Sequence, residues 1–357
     1  MNNMNTIKFG TRTIGQGHPL YFVADIGANH DGDLQKALDL IEMAKEAGAD
    51  AAKFQHFQAS KIVSRVGFDS LGGQLSHQAS WKKSVYEVYE DASINQDWTP
   101  ILKKRCDEIG IDFFTSPYDF KSVDDVDQYV DLYKVGSGDI TWIEIIKYIA
   151  NKNKPVLIAT GASDMPDVER AMNAIQPLTK DIVLMQCNTN YTVEKDKHKY
   201  SNLNVLKTFS TKYPDTILGL SDHTFSHSTV LGAVALGALV FEKHFTNSND
   251  QDGPDHKFAV NPAAWREMVD RANELYEALG DGIKRVEENE LQSAIVQRRS
   301  LRLTSDLPAG HTLSAGDLEP LRPITSDGLE PYKIDEVIGH VLKENLKQGA
   351  EITLNHI

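Results

Sequence analysis

Tyr21-Phe-Val-Ala-Asp-Ile-Gly27 is a short apolar run, and Asp33–Gly48 follows it with apolar residues at Leu34, Ala37, Leu38, Ile41 and Ala44. The first segment has the near-continuous hydrophobicity of a strand buried on both faces, and the second has the three-to-four spacing of an amphipathic helix that Gly48 stops. The same unit recurs down the chain. Apolar runs at Ala51–Gln55, Ile111–Thr115, Leu132–Gly136, Pro155–Thr160, Ile182–Cys187, Thr216–Ser221 and Leu239–His244 bring the strands to eight, and helical patterns such as Trp98–Ile109, Ile143–Ala150 and Ser226–Gly237 lie between them. Eight strand–helix units in about 260 residues predict a parallel (β/α)8 TIM barrel, an α/β fold, with a doubly wound open sheet as the alternative.

Two segments break the rhythm. Gln58–Asn95 is a long insertion with Gly72-Gly73 and the polar-aromatic stretch His77–Tyr89, which at a strand exit predicts a lid or substrate wall. Residues 286–298 read as a charged linker, and 299–357 as a small β-rich domain of short strands and turns. Residues 1–285 then form the barrel domain, with a hairpin over about 6–17 at its start.

Composition narrows the function classes. The formal net charge is −14, which argues against nucleic acid or an anionic membrane as partner. No run reaches the roughly 18 apolar residues of a membrane helix. The polar first ten residues do not resemble a signal peptide, and the only cysteines are Cys106 and Cys187, so a reducing, cytoplasmic setting is expected. With so acidic a chain, an anionic substrate must be held by a few locally placed cations.

A barrel carries its site at the carboxyl ends of its strands. Lys53 and Lys134 interrupt apolar strands there, where an unpaired ammonium is costly. A phosphate or carboxylate ligand is one partner, with Thr115, Ser116 or Ser137 as neutral donors; a neighbouring carboxylate, Asp25 or Asp139, is another. A Schiff-base lysine is the third possibility. His223 and His244 occupy corresponding positions at the ends of the last two strands, where two imidazoles and open positions suit a Lewis-acid cation such as Mn²⁺, Mg²⁺, Zn²⁺ or Co²⁺.

The segments Ala24-Asp-Ile-Gly-Ala-Asn-His30, Ala52-Lys-Phe-Gln55, Phe114-Thr-Ser-Pro117, Tyr133-Lys-Val-Gly-Ser-Gly138, Gly219-Leu-Ser-Asp-His-Thr224, Glu242-Lys-His-Phe-Thr246 and Gly253-Pro-Asp-His256 resemble the sialic acid synthase family, which includes N-acetylneuraminate, legionaminate and pseudaminate synthases. Gly310, Asp317-Leu318 and Leu321-Arg-Pro323 are similar to that family's small antifreeze-like (SAF) domain. The resemblance implies a metal on His223 and His244, Mn²⁺ first with Mg²⁺ or Co²⁺ as alternatives. It implies that Lys53, Ser116, Lys134, Ser137 and Ser221 bind phosphoenolpyruvate, that Asp25 is the catalytic acid/base, and that Asp139, Tyr191, Asp255 and Arg322 contact the sugar. The implied acceptor is N-acetylmannosamine or another N-acylated amino-hexose, with a 2,4-diacetamido-2,4,6-trideoxy-hexose as the alternative. The implied assembly is a homodimer whose SAF domains complete each other's sites. A pyruvate aldolase and a catalytically silent carbohydrate-binding protein are the competing classes. This chain departs from the family pattern at Asp25 and Asp139, where Glu is frequent, at Gln186–Thr192, and in the lid around Ser80–Glu87.

Overall fold

A computed structural model describes residues 5–75, 78–79, 81–191 and 197–357. Two compact units divide the chain, Met1–Gly280 and Asp281–Ile357. The first opens on an antiparallel hairpin of β1 (Thr6–Phe9) and β2 (Arg12–Gly15). The barrel strands follow as β3 (Tyr21–Asp25), β4 (Ala51–His56), β5 (Asp112–Pro117), β6 (Tyr133–Val135), β7 (Val156–Ala159), β8 (Ile182–Cys187), β9 (Ile217–Asp222) and β10 (Ala238–His244). All neighbours are parallel, and β10 pairs back onto β3 from Val240↔Tyr21 to His244↔Asp25. That pairing closes the sheet, so the fold is the predicted barrel and not the open alternative.

Each strand's apolar residues serve two faces at once, the barrel interior and the helix layer outside. This explains why the strands read as continuous hydrophobic runs. In the helix Leu34–Glu46, Ala37, Leu40, Ile41 and Ala44 are buried, and the Asp33 carboxylate accepts from the amides of Gln35 and Lys36. That cap satisfies two of the donors a helix start leaves open. The hairpin covers the amino end of the barrel: Ile7, Phe9 and Ile14 are buried, and Arg12 reaches Asp50 at 3.1 Å and Asp112 at 2.6 Å. The opposite, carboxyl end is left for chemistry.

The described residues of the insertion after β4 include the short α-helices Ala59–Ile62, Arg65–Asp69 and Val85–Ala92, the last begun by a reciprocal Ser84–Glu87 capping box. His77 and Ser80, within the predicted lid, lie outside the described residues. In the second unit, 3₁₀ helix Glu288–Glu290 and helix Leu291–Gln297 occupy the stretch read as a linker. There β11 (Ser300–Leu303) pairs antiparallel with β12 (Leu318–Leu321), over a small core of Leu301, Leu303, Leu313, Val337, Leu342 and Ile352. Among the described residues no helix is long and apolar enough to cross a membrane.

Candidate active site

Strand alternation decides which side chains meet at the carboxyl end. On β9 and the residue after it, Ser221 and His223 face the cavity while Asp222 between them turns outward; on β10, Glu242 and His244 face in while Lys243 turns outward. Asp25 closes β3, Lys53 and Gln55 lie on β4, Ser116 on β5 and Lys134 on β6. Ser137 and Asp139 sit on a 3₁₀ turn just beyond β6. Tyr191 follows β8, and Asp255 comes from the loop after β10. Together these residues line a single cavity of about 450 Å³, a volume suited to a small-molecule substrate. Eleven of the thirteen residues singled out in the sequence are in its wall; Thr115 is not, and Arg322 is exposed just after β12 in the second unit.

The two lysines are buried, and both have carboxylate partners. Lys53 Nζ lies 2.8 Å from Asp25 Oδ2 and 3.7 Å from Glu242 Oε1, while Lys134 Nζ donates to Glu242 Oε1 at 3.0 Å. Gln55 donates to Asp25 Oδ2 at 3.0 Å, and the Ser221 hydroxyl to Glu242 Oε1 at 3.3 Å. Of the two carboxylate partners weighed in the sequence, Asp25 is therefore a partner. Among the described residues Asp139 bonds neither lysine, and Glu242, absent from the predicted set, takes the second place. It was findable. A carboxylate two residues before His244 on a strand faces the same way as that histidine, and two lysines in an apolar interior demand anions.

Burial pushes both carboxyls upward, but the opposing lysines outweigh it: Lys53 holds Asp25, and Lys134 with Lys53 holds Glu242, below the usual carboxylate range. Lys53 is the mirror case, pulled down by burial and raised overall by Asp25 and Glu242. Asp139 has no cationic partner among the described residues and is pushed up to about 6 by burial. In the cavity wall, four buried polar atoms have no hydrogen-bond partner among the described residues: Asp25 Oδ1, Glu242 Oε2, Ser116 Oγ and His244 Nδ1. An orphan of this kind costs stability unless a ligand or water meets it. Four around one cavity mark it as a place that something else completes.

The histidine rings lie with centroids 5.5 Å apart. His223 Nδ1 is 3.0 Å from the Asn188 carbonyl, to which it donates, and 3.9 Å from Cys187 Sγ. Burial lowers His244, while for His223 the neighbouring Cys187 and the Asn188 carbonyl overcome burial and raise it. The nitrogens of His244 are each 3.7 Å from a carboxylate oxygen, Nε2 from Asp25 and Nδ1 from Asp255. Among the described residues no group of three or more His, Cys, Asp and Glu side chains is gathered as a metal-ligating cluster. Two imidazoles flanked by carboxylates, with His244 Nδ1 making no hydrogen bond among the described residues, nevertheless form a donor set that a divalent cation fits.

Around the histidines, Tyr191 packs edge-on against His223 at 4.4 Å and Phe258 against His244 at 5.1 Å. The inserted segment adds Ile62, Gln78, Trp81, Val88, Tyr89 and Ala92, so it is a wall of the cavity as predicted. Thr115, offered as a neutral donor beside the lysines, is a correction. Its hydroxyl faces away from the cavity and bonds His56 Nδ1 at 2.7 Å and the Phe54 carbonyl at 2.8 Å. Gly27, in the left-handed region at φ +51°, turns the chain beneath the site; a Cβ there would sit 3.2–3.4 Å from Gln55, Asp255 and His244. In the departing segment Gln186–Thr192, Gln186 donates to the Ser201 carbonyl at 3.0 Å, and Thr192 lies outside the described residues.

Comparison with known proteins places the chain. The NeuB family model matches residues 40–284 and the SAF domain model residues 298–357. A protein of Legionella pneumophila named N,N'-diacetyllegionaminic acid synthase is 32% identical over 98% of this chain and 97% of its own length. The human N-acetylneuraminate-9-phosphate synthase is 29% identical over 92% of this chain and 90% of its own. A crystal structure of N-acetylneuraminic acid synthetase from Leptospira borgpetersenii, in complex with citrate, superposes with a TM-score of 0.72 at 25% identity, covering 82% of this chain and 96% of that one. By both its barrel and its small C-terminal domain, the chain belongs to the NeuB family of synthases, with a SAF domain attached.

Proposed function

We propose that the protein is a nonulosonic (sialic-type) acid synthase, joining phosphoenolpyruvate to an N-acylated amino-hexose with release of phosphate. The observation that carries this reading is the convergence, in one cavity, of two buried lysines, the orphan Ser116 hydroxyl and two adjacent imidazoles. Names of relatives such as the Legionella synthase support the product class.

In this reading Lys53, Lys134, Ser116, Ser137 and Ser221 cradle the donor's phosphate and carboxylate. A cation held by His223 and His244, Mn²⁺ first with Mg²⁺ or Co²⁺ as alternatives, supplies when bound the Lewis-acid polarisation of the acceptor aldehyde. C3 of phosphoenolpyruvate forms the new bond to the aldehyde carbon, water adds at C2, and the C2–O bond to phosphate breaks. Asp25, held ionised by Lys53, takes the proton that the water loses and returns it to the new sugar hydroxyl. Asp139, Tyr191 and Asp255 face the acceptor, and Arg322 reaches it from the SAF domain of a second copy in a homodimer. Exposed Leu291, Ile295, Val296 and Tyr332 in that unit support such an interface. Two unpaired buried cysteines agree with a cytoplasmic setting.

The acceptor is N-acetylmannosamine, or the 2,4-diacetamido-2,4,6-trideoxy-hexose that the name of the Legionella relative favours. The Schiff-base aldolase reading is weaker because it needs a neutral amine, and Asp25 and Glu242 hold Lys53 in its charged form. A phosphate-release assay with both acceptors, with and without chelator, tests the proposal. Release that requires donor, acceptor and metal is expected. Condensation of free pyruvate without phosphate release would mean an aldolase, and sugar binding without turnover at any metal would mean a silent binding protein.

A further inference from the structure

Behind the two histidines lies a second buried ion pair that the proposed reaction does not use. Lys243 and Asp222 are register partners on β10 and β9, each one residue before a cavity-facing histidine. Both point away from the cavity. Lys243 is 2% and Asp222 6% exposed, and Lys243 Nζ donates to Asp222 Oδ2 at 2.5 Å. The same ammonium bonds the carbonyl of Thr224 at 2.5 Å and approaches that of Ser226 at 3.4 Å. Asp222 in turn accepts from the Thr224 amide at 3.1 Å, the Thr224 hydroxyl at 2.9 Å and the Thr229 hydroxyl at 2.6 Å. His223 is thus the one residue between two anchored neighbours, and the anchor is a side chain of the strand that carries His244.

We infer that the Asp222–Lys243 pair, with Thr224 and Thr229, is a positioning device that sets the spacing of His223 and His244 for a shared divalent cation. Two features separate this role from general stability. A buried ion pair replaced by apolar side chains of similar volume is often neutral or favourable for folding, so burial alone gives it no purpose. Its hydrogen bonds also end on the loop at His223, whereas a pair serving only to join the two strands would need no carbonyl contacts beyond β9. Without the ammonium, the loop from Asp222 to Thr229 loses its tie to β10, and His223 can move relative to His244. Groups that hold a metal's ligands in this way typically cost about 10–100-fold in metal affinity when removed.

The inference rests on the metal reading above, and the experiment separates the two. Mn²⁺ binding to the metal-stripped full chain is followed by the loss of the free-ion electron paramagnetic resonance signal, with thermal melting measured in parallel. The variants are the paired Asp222→Leu with Lys243→Met, which removes both charges at similar volume, and Lys243→Arg, which keeps the charge but changes the donor geometry. A folded double variant whose Mn²⁺ Kd rises about 10–100-fold, with Lys243→Arg between it and the parent, supports the positioning role. The parent Kd in the folded double variant overturns it. If the double variant does not fold, Lys243→Arg carries the test alone: a raised Kd supports the role and an unchanged one overturns it. A parent protein that binds no Mn²⁺ overturns the metal reading itself, and the positioning role with it.

Discussion

Lys53 and Lys134 sit in a barrel interior that would reject them without anions, and each has one in Asp25 or Glu242. The arrangement fixes both ammonium groups while leaving Ser116 Oγ, Asp25 Oδ1 and Glu242 Oε2 without a hydrogen bond among the described residues, so a ligand gains contacts that the protein alone leaves unmade. A hydrogen bond to a charged group contributes about 1.5–3 kcal/mol, so Lys134→Met is expected to lower kcat/KM for the phosphorylated donor by about 10–100-fold. Steady-state kinetics at saturating acceptor check this, and an unchanged donor KM would remove Lys134 from the cradle. Asp139 offers a pH handle. Burial raises it to about 6, so below that pH its carboxyl is neutral and above it charged. The folding contribution has the opposite sense: stability tied to this group is fullest below the ordinary aspartate range and falls as pH rises through about 6. If its carboxylate grips the acceptor, the acceptor KM measured between about pH 5 and pH 8 should fall as pH rises, and the trend should vanish in Asp139→Asn. The lysines, histidines and serines were legible one by one, because polar residues interrupting apolar strands need a reason. Glu242 lies outside the predicted set, although its period-two relation to His244 marks its direction.

At the scale of elements, close approach at the strand ends matters as much as charge. Gly161, just after β7, donates its amide to Ser137 Oγ at 3.0 Å, and a Cβ there would fall 1.7 Å from Thr189 Oγ1, 2.8 Å from Ser137 Oγ and 2.9 Å from Cys187 Sγ. Gly161→Ala therefore forces either the residues after β8 or the Ser137 turn to move. Overpacking of this kind costs about 1–3 kcal/mol, and the displaced Ser137 should raise the donor KM. Thermal denaturation alongside kinetics would show both, and a variant with native melting and donor KM would mean that the two loops yield freely. The strands and helices themselves were readable because a parallel barrel buries both faces of every strand and gives each helix one apolar stripe. The helix Leu291–Gln297 was hidden by its charged neighbours Glu287, Glu288 and Glu290 and by its own exposure, which removes the stripe that periodicity detects.

At the scale of the molecule, the barrel unit holds eleven of the residues expected at the site, and the SAF unit holds Arg322. If a second copy supplies that guanidinium, sedimentation should show a particle of twice the 39.7 kDa chain mass. Arg322→Ala should then raise the acceptor KM by about 10-fold or more, the value of one charge-assisted hydrogen bond, while the barrel's melting temperature stays unchanged. A monomer, or unaltered acceptor kinetics in the variant, would mean that the SAF domain does not reach the sugar.

The order of strands, the end of the barrel that carries chemistry and the identity of most cavity residues were determined by sequence alone, since they follow from periodicity and from the cost of polar groups in apolar strands. Pairing was not. That Lys134 joins Glu242 rather than Asp139, that Thr115 turns outward to His56, and that Lys243 on β10 grips the loop holding His223 depend on which strands lie side by side and in what register. Lys134 and Glu242 stand 108 residues apart on β6 and β10 and meet across the closed barrel, while the other two contacts follow from the pairing of β4 with β5 and of β9 with β10.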